Sequence, residues 1–188
     1  MAVKRVEHRL KVVTAALDAA GIRYAVVGGN AIAFWVAKAD PSATRTTKDV
    51  DLLVRQSDLD AITQVLGGIG FERENLRAPV LFLDPDEPSR RSGVHLVWAD
   101  EKVRPSYAHP APRVEEAIHA PDGFWVLNRA SIVRMQLTSA RDIDRVHIGD
   151  LLRVGMIDDA VRQSLPSDLM ARLRDIEKTI EDDDADLS

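Results

Sequence analysis

Asp49 and Asp51 are the residues whose type and spacing most directly suggest chemistry. Side chains alternate across an extended strand, so residues two apart share a face. Two carboxylates held together on one face repel each other unless a cation sits between them. Hard oxygen donors favour Mg2+ or Mn2+. An Asp-x-Asp pair alone reads better as a solvated strand entrance, but its position here says more. It follows an apolar run, the Gly28-Gly29 turn, a helical stretch and a basic loop containing Arg45 and Lys48. Backbone amides at a glycine-rich turn entering a helix cradle phosphates, and glycine permits their close approach. The expectation is a site in which Gly28, Gly29 and Asn30, with Arg45 and Lys48, hold a triphosphate while Asp49 and Asp51 hold its metal.

A dinucleotide site competes, because an acid about twenty residues after a glycine turn is also its signature. Two details oppose it. Val27-Gly-Gly-Asn-Ala-Ile-Ala33 lacks the G-x-G-x-x-G pattern, and Asp49 and Asp51 precede the apolar Leu52-Leu-Val54 rather than ending it.

The elements that must position these residues can be read from periodicity. Val6, Leu10, Val13 and Leu17 recur at helical spacing, which predicts a helix over 4–20 closed by Gly21. Tyr24–Val27 reads as a buried strand, Asn30 as the cap of a helix over 31–38, and Asp49–Val54 as a second strand. Ser57, with Asp60 three residues on, reads as the cap of a helix ending near Leu66. Val80–Leu83 and Gly93–Trp98 form a strand pair, and Pro105, Pro110, Pro112 and Pro121 mark an irregular crossing. Helices follow over 131–137, 141–154 and 167–180. This order predicts a mixed α/β (α+β) fold, a small mixed sheet flanked by helices with further helices at the C-terminal end. The expected organisation is a single domain over 1–180, with a core about 20–100, a helical part about 113–180, and a disordered acidic tail over 181–188.

The formal charge of -5 comes from that tail. Setting aside Glu181, Asp182, Asp183, Asp184 and Asp186 leaves 25 of the 30 acids, against 25 Lys and Arg. A neutral body neither requires nor excludes a nucleic-acid partner. The absence of cysteine removes disulfides and thiolate metal sites. The first ten residues lack the apolar stretch of a signal peptide, and the run Tyr24–Ala37, broken by Gly28, Gly29 and Asn30, is too short to span a bilayer. A cytoplasmic protein without a membrane partner is expected.

Tyr24-Ala-Val-Val-Gly-Gly-Asn-Ala-Ile-Ala33, followed by Thr46-Thr-Lys-Asp-Val-Asp-Leu-Leu-Val54, resembles the signature of the nucleotidyltransferase fold. More narrowly it is similar to the abortive-infection (AbiEii-like) nucleotidyltransferase toxins, and Val133–Arg141 with Asp144–Leu152 resembles their helical segment. The resemblance implies phosphate contacts at Gly28 and Gly29, with Asn30 where the family commonly has Ser or a small residue. It implies a catalytic metal on Asp49 and Asp51, and transfer of a nucleoside monophosphate from a nucleoside triphosphate to an RNA, protein or small-molecule acceptor. A toxin would also imply an antitoxin partner. Two positions depart from the family. His95 stands where a third carboxylate is usual, and Gln136 where a Lys is frequent. These departures imply an alternative, a catalytically weakened relative acting as a nucleotide- or protein-binding module.

Other polar residues have simpler readings. His147 and Asp150 suggest helix-surface pairing, and Arg129, Arg134, Arg141, Arg145 and Arg153, interspersed with acids, suggest solvated ion pairs. Trp35, Trp98 and Trp125 read as core or interface aromatics.

Overall fold

The apolar run before the glycine pair becomes β1 (Tyr24–Val27), all four residues of which are buried. In this computed structural model, which describes residues 2–74 and 79–186, β1 lies inside a seven-stranded mixed sheet. The other strands are β2 (Val50–Val54), β3 (Glu72–Arg73), β4 (Val80–Leu83), β5 (Val94–Trp98), β6 (Ala117–His119) and β7 (Trp125–Leu127), in the order β3-β4-β5-β2-β1-β7-β6. β2 runs antiparallel to β1 and parallel to β5. The expected pair β4 and β5 is antiparallel.

The helices are α1 (Ala2–Ala19), α2 (Gly28–Ala39), α3 (Leu59–Gly68), α4 (Arg129–Ser139), α5 (Asp142–Arg153), α6 (Asp159–Ser164) and α7 (Ser167–Asp186). α2 packs on β1 and β2 and also meets α4 and α5, joining the C-terminal helices to the sheet. Residues from both regions share one hydrophobic cluster, from Leu17 and Tyr24 to Leu151 and Leu173. Among the described residues no helix is long and apolar enough to cross a membrane.

Four local expectations are corrected. Asn30 is not a cap, because α2 begins at Gly28, whose φ of +60° turns the chain straight out of β1 without a loop. Ser57 does not cap α3. A 3-10 turn over Gln56–Asp58 precedes the helix, and the Ser57 hydroxyl donates to Asp58 at 3.3 Å. The proline-marked crossing contains strands, since Pro112 and Pro121 flank β6 instead of interrupting it, and Gly123 at φ +88° turns the chain into β7. The acidic tail is helical through Asp186. With Ile176 and Ile180 packed on the core, each further residue adds a helical bond to an existing helix. Leu187 and Ser188 lie outside the described residues.

Two anchors, one buried and one half-buried, tie the frame together. Arg9 is 2% exposed. Its guanidinium donates to Asp84 at 2.6 Å, to the Lys48 carbonyl at 2.9 Å and to Glu87 at 3.2 Å. It thereby fixes the entrance of β2 to α1 and to the β4–β5 connection. Glu116 accepts from the Arg113 amide at 2.9 Å, from Ser131 at 2.5 Å and from Arg134 at 2.8 Å, clamping the segment before β6 onto α4.

Burial pulls the Glu116 pKa upward, but these hydrogen bonds outweigh it and hold the carboxyl below its usual range. A depressed carboxylate contributes stability that is present above its unfolded pKa and lost as pH falls through the folded one. Glu116→Gln should therefore cost about 1–2 kcal/mol at neutral pH. In paired thermal melts from pH 7 to pH 3, the gap between wild type and variant should close at the acid end. A gap independent of pH would show that the charge of Glu116 is not what holds the clamp.

Candidate metal and nucleotide site

In-register pairing builds the centre of the site. Asp51 on β2 stands opposite Val27 of β1 on one side and beside His95 of β5 on the other. Asp49 precedes the strand by one residue and shares the face of Asp51. One ligand atom each from Asp49, Asp51 and His95 lies within 4.8 Å of the others. His95 Nδ1 is 3.4 Å from Asp51 Oδ1 and 3.6 Å from Asp49 Oδ2.

The other ring nitrogen decides what His95 can do. Nε2 lies 3.0 Å from the Arg90 carbonyl, which can only accept, so Nε2 carries the hydrogen. The neutral ring then aims a lone pair from Nδ1 at two carboxylates. A proton or a cation must fill that place. In the metal-free protein the hydrogen bond to Asp51 raises the His95 pKa against its burial. Desolvation, joined by the charge of Asp49, raises that of Asp51. Metal-bound histidines commonly donate their second N–H to a carbonyl or carboxylate, as His95 does. Two carboxylates and an imidazole so oriented fit a divalent cation.

The backbone under Asp49 is pinned from three directions. The Thr47 hydroxyl donates to Asp49 Oδ1 at 2.6 Å, Asn30 Nδ2 donates to the Asp49 carbonyl at 2.7 Å, and Arg9 holds the carbonyl of Lys48. Gly28 is required for a different reason. A Cβ there would lie 2.0 Å from Asp51 Oδ2, so only glycine lets the carboxylate stand beside the turn. No side chain caps the first turn of α2, which leaves its leading amides open.

These groups open into a cleft of about 720 Å³, within the size range of small-ligand sites. The structure brings Gly28, Gly29, Arg45, Asp49, Asp51 and His95 to its lining, along with Gln136. It does not bring Asn30 or Lys48 there. Asn30 spends its amide on the Asp49 carbonyl, and the Lys48 side chain is exposed away from the cleft, its backbone carbonyl taken by Arg9. Arg45 lines the cleft but is committed, donating to Asp150 from Nε at 2.5 Å and from Nη2 at 3.1 Å. Asp150 therefore pairs with Arg45 instead of His147. Desolvation lowers the His147 pKa, and its buried Nδ1 has no partner among the described residues.

Gln136 is 4% exposed and its Oε1 is unpartnered among the described residues. Of the five arginines expected in solvated pairs, four pair, at Arg129–Asp158, Arg134–Glu116, Arg141–Asp144 and Arg153–Asp150, with Asp144 and Asp150 buried instead of solvated, and Arg145 has no ion pair among the described residues. Arg141 also lines the cleft, a role that its sequence context does not suggest. A basic residue three positions before an acid at a helix start was the available signal, and surface pairing explains it as well. Thr47 was likewise visible only as the residue two before Asp49.

No protein-family model and no curated protein matches this sequence. Solved structures do. An antigenic nucleotidyltransferase-like protein from Paracoccidioides brasiliensis superposes with a TM-score of 0.61 at 17% identity, over 97% of this chain and 91% of that one. The solution structure of the antibiotic-resistance factor ANT(2'')-Ia gives 0.57 at 18% identity, over 100% and 96%. Its crystal structure in complex with adenylyl-2''-tobramycin gives 0.54 at 16%, over 94% and 99%. The chain has the nucleotidyltransferase fold. Within that fold, Asp51 and His95 occupy adjoining strands, with Asp49 at the entrance of β2, beside the turn into α2.

Proposed function

We propose that this protein is a metal-dependent nucleotidyltransferase that moves a nucleoside monophosphate from a nucleoside triphosphate to an acceptor hydroxyl. The observation that carries this reading is the convergence of Asp49, Asp51 and His95 beside the glycine turn, in a cleft of nucleotide size. Asp49 and Asp51 would hold the cation with His95 as the nitrogen ligand. When bound, the cation supplies positive charge at the α-phosphate. The open amides at Gly28 and Gly29 would hold phosphate oxygens. The acceptor hydroxyl gives up its proton to water as its oxygen bonds to the α-phosphorus and the bond to pyrophosphate breaks.

An imidazole brings no negative charge and suits Mn2+ better than Mg2+. His95→Asp should therefore tighten Mg2+ binding about tenfold, the lower end of what changes around a metal ligand produce, and raise transfer with Mg2+. Paired Mg2+ titration and transfer assays check this. Loss of both in the variant would give His95 a chemical role of its own, and no change in either would place it outside the site.

The AbiEii-like motifs support a toxin-type enzyme with an antitoxin partner, acting on RNA or protein. Similarity to a fold relative captured with adenylyl-2''-tobramycin supports a small-molecule acceptor. One experiment separates these classes. Each α-labelled triphosphate is incubated with Mn2+ or Mg2+ and with total RNA, total protein or a small-molecule extract. Label should enter one class, and entry should stop in Asp49→Asn. No label in any class with either ion would leave the alternative, a nucleotide- or protein-binding module.

A further inference from the structure

We propose that Arg141 is the cation of a polyphosphate-binding subsite in the cleft, presented by Asp144 to the phosphate chain of a metal-bound di- or triphosphate. The inference rests on the reading of the cleft as a nucleotide site and adds a residue to it. Asp49 and Asp51 with a divalent cation are neutral together. A triphosphate keeps excess negative charge beyond what that cation cancels, so a further positive group is required near Asp51.

Arg141 meets the requirement by construction. Asp144 is 1% exposed, and it accepts from Arg141 Nε at 2.8 Å and from Nη2 at 3.0 Å. The same carboxylate accepts from Ser139 Oγ at 2.6 Å and from the Arg141 amide at 3.0 Å, which locks its own position. The pair is neutral overall but strongly oriented. The carboxylate is buried behind, while the arginine side chain is 58% exposed and lines the cleft, its Nη1 without a partner among the described residues. Arg141 lines the same cleft as Asp49, Asp51 and His95. A planar guanidinium with a free edge is well suited to phosphate oxygens.

Arg45 has the same two-point pairing and a side chain 59% exposed in the cleft, and differs from Arg141 only in how its carboxylate is held. Its partner Asp150 is nearly buried, and its hydrogen bonds come from Arg45, with Arg153 only at 3.8 Å. Turning Arg45 toward a phosphate would strand that carboxylate. Asp144 keeps Ser139 and the Arg141 amide however the Arg141 side chain moves.

The test is calorimetric titration of inorganic triphosphate with Mn2+ into the full chain, a probe independent of base and of catalysis. Arg141→Gln should weaken binding tenfold or more. Arg141→Lys, which keeps the charge and loses the fork, should weaken it less. Arg145→Gln, an exposed change on α5, should leave it unaltered. Thermal melts accompany each variant. A folded Arg141→Gln that binds like wild type, or a wild type that binds no triphosphate, would overturn the subsite and leave Arg141 as a helix cap alone. Should Arg141→Gln fail to fold, Arg141→Lys decides. Weaker binding at an unchanged melting temperature supports the proposal, and unchanged binding overturns it. Arg141-dependent triphosphate binding without nucleotidyl transfer would keep the subsite and remove the transferase reading.

Discussion

Gly28→Ala is expected to destabilise the protein by about 3 kcal/mol and to remove metal binding with it. The residue sits at φ +60°, where an L side chain is strained. Its added Cβ would also lie 2.0 Å from Asp51 Oδ2 and 2.9 Å from Asp51 Cγ. Backbone strain and overpacking act together, and a fall in melting temperature of about 10 °C follows for a chain of this size. The two causes can be separated. In an Asp51→Ala background the carboxylate is gone, so the same change should cost markedly less, leaving the backbone strain. Equal costs in both backgrounds would show that Gly28 is not there to make room for Asp51.

The second large effect is functional. Asp51→Asn should reduce metal-dependent nucleotide binding by at least about 100-fold, since losing even a supporting partner of a metal ligand costs about 10- to 100-fold. The fold should not suffer. In the metal-free protein, desolvation and the neighbouring Asp49 push the Asp51 pKa up, so its ionised form is disfavoured there. A neutral amide should leave the melting temperature unchanged or raise it, the pattern expected when a functional residue is held against stability. Calorimetry with nucleotide and Mn2+, beside a thermal melt, reads both quantities. A variant that loses binding and stability together would make Asp51 a structural residue.

The centre of the site was legible in the sequence because it depends on strand alternation. Two acids at a spacing of two, after a glycine turn, land on one face of β2 at the mouth of α2. His95 could be named only through the family resemblance, as the position of a usual third carboxylate, and its orientation required the Arg90 carbonyl, a contact from the turn that precedes its own strand. What stayed hidden depends on contacts between distant segments. Asn30 and Arg45 carry the expected chemistry, yet each is claimed by a partner, the Asp49 carbonyl and Asp150. Arg9 lies on a helix whose apolar stripe predicts a core face, and it fills that face with a charge satisfied by Asp84 and Glu87. β6 and β7 were obscured by prolines, which bound short strands as readily as they break long ones. Arg141 looked like any surface pair until the fold set it at the wall of the cleft.

Mn2+ titration followed by electron paramagnetic resonance tests the central claim most directly. Wild type should bind one Mn2+ in the absence of nucleotide and bind it more tightly when a nucleoside triphosphate is added. The Asp49→Asn, Asp51→Asn double variant should lose that ion while melting no earlier than wild type. Equal Mn2+ binding by the two proteins, with or without triphosphate, would contradict the account.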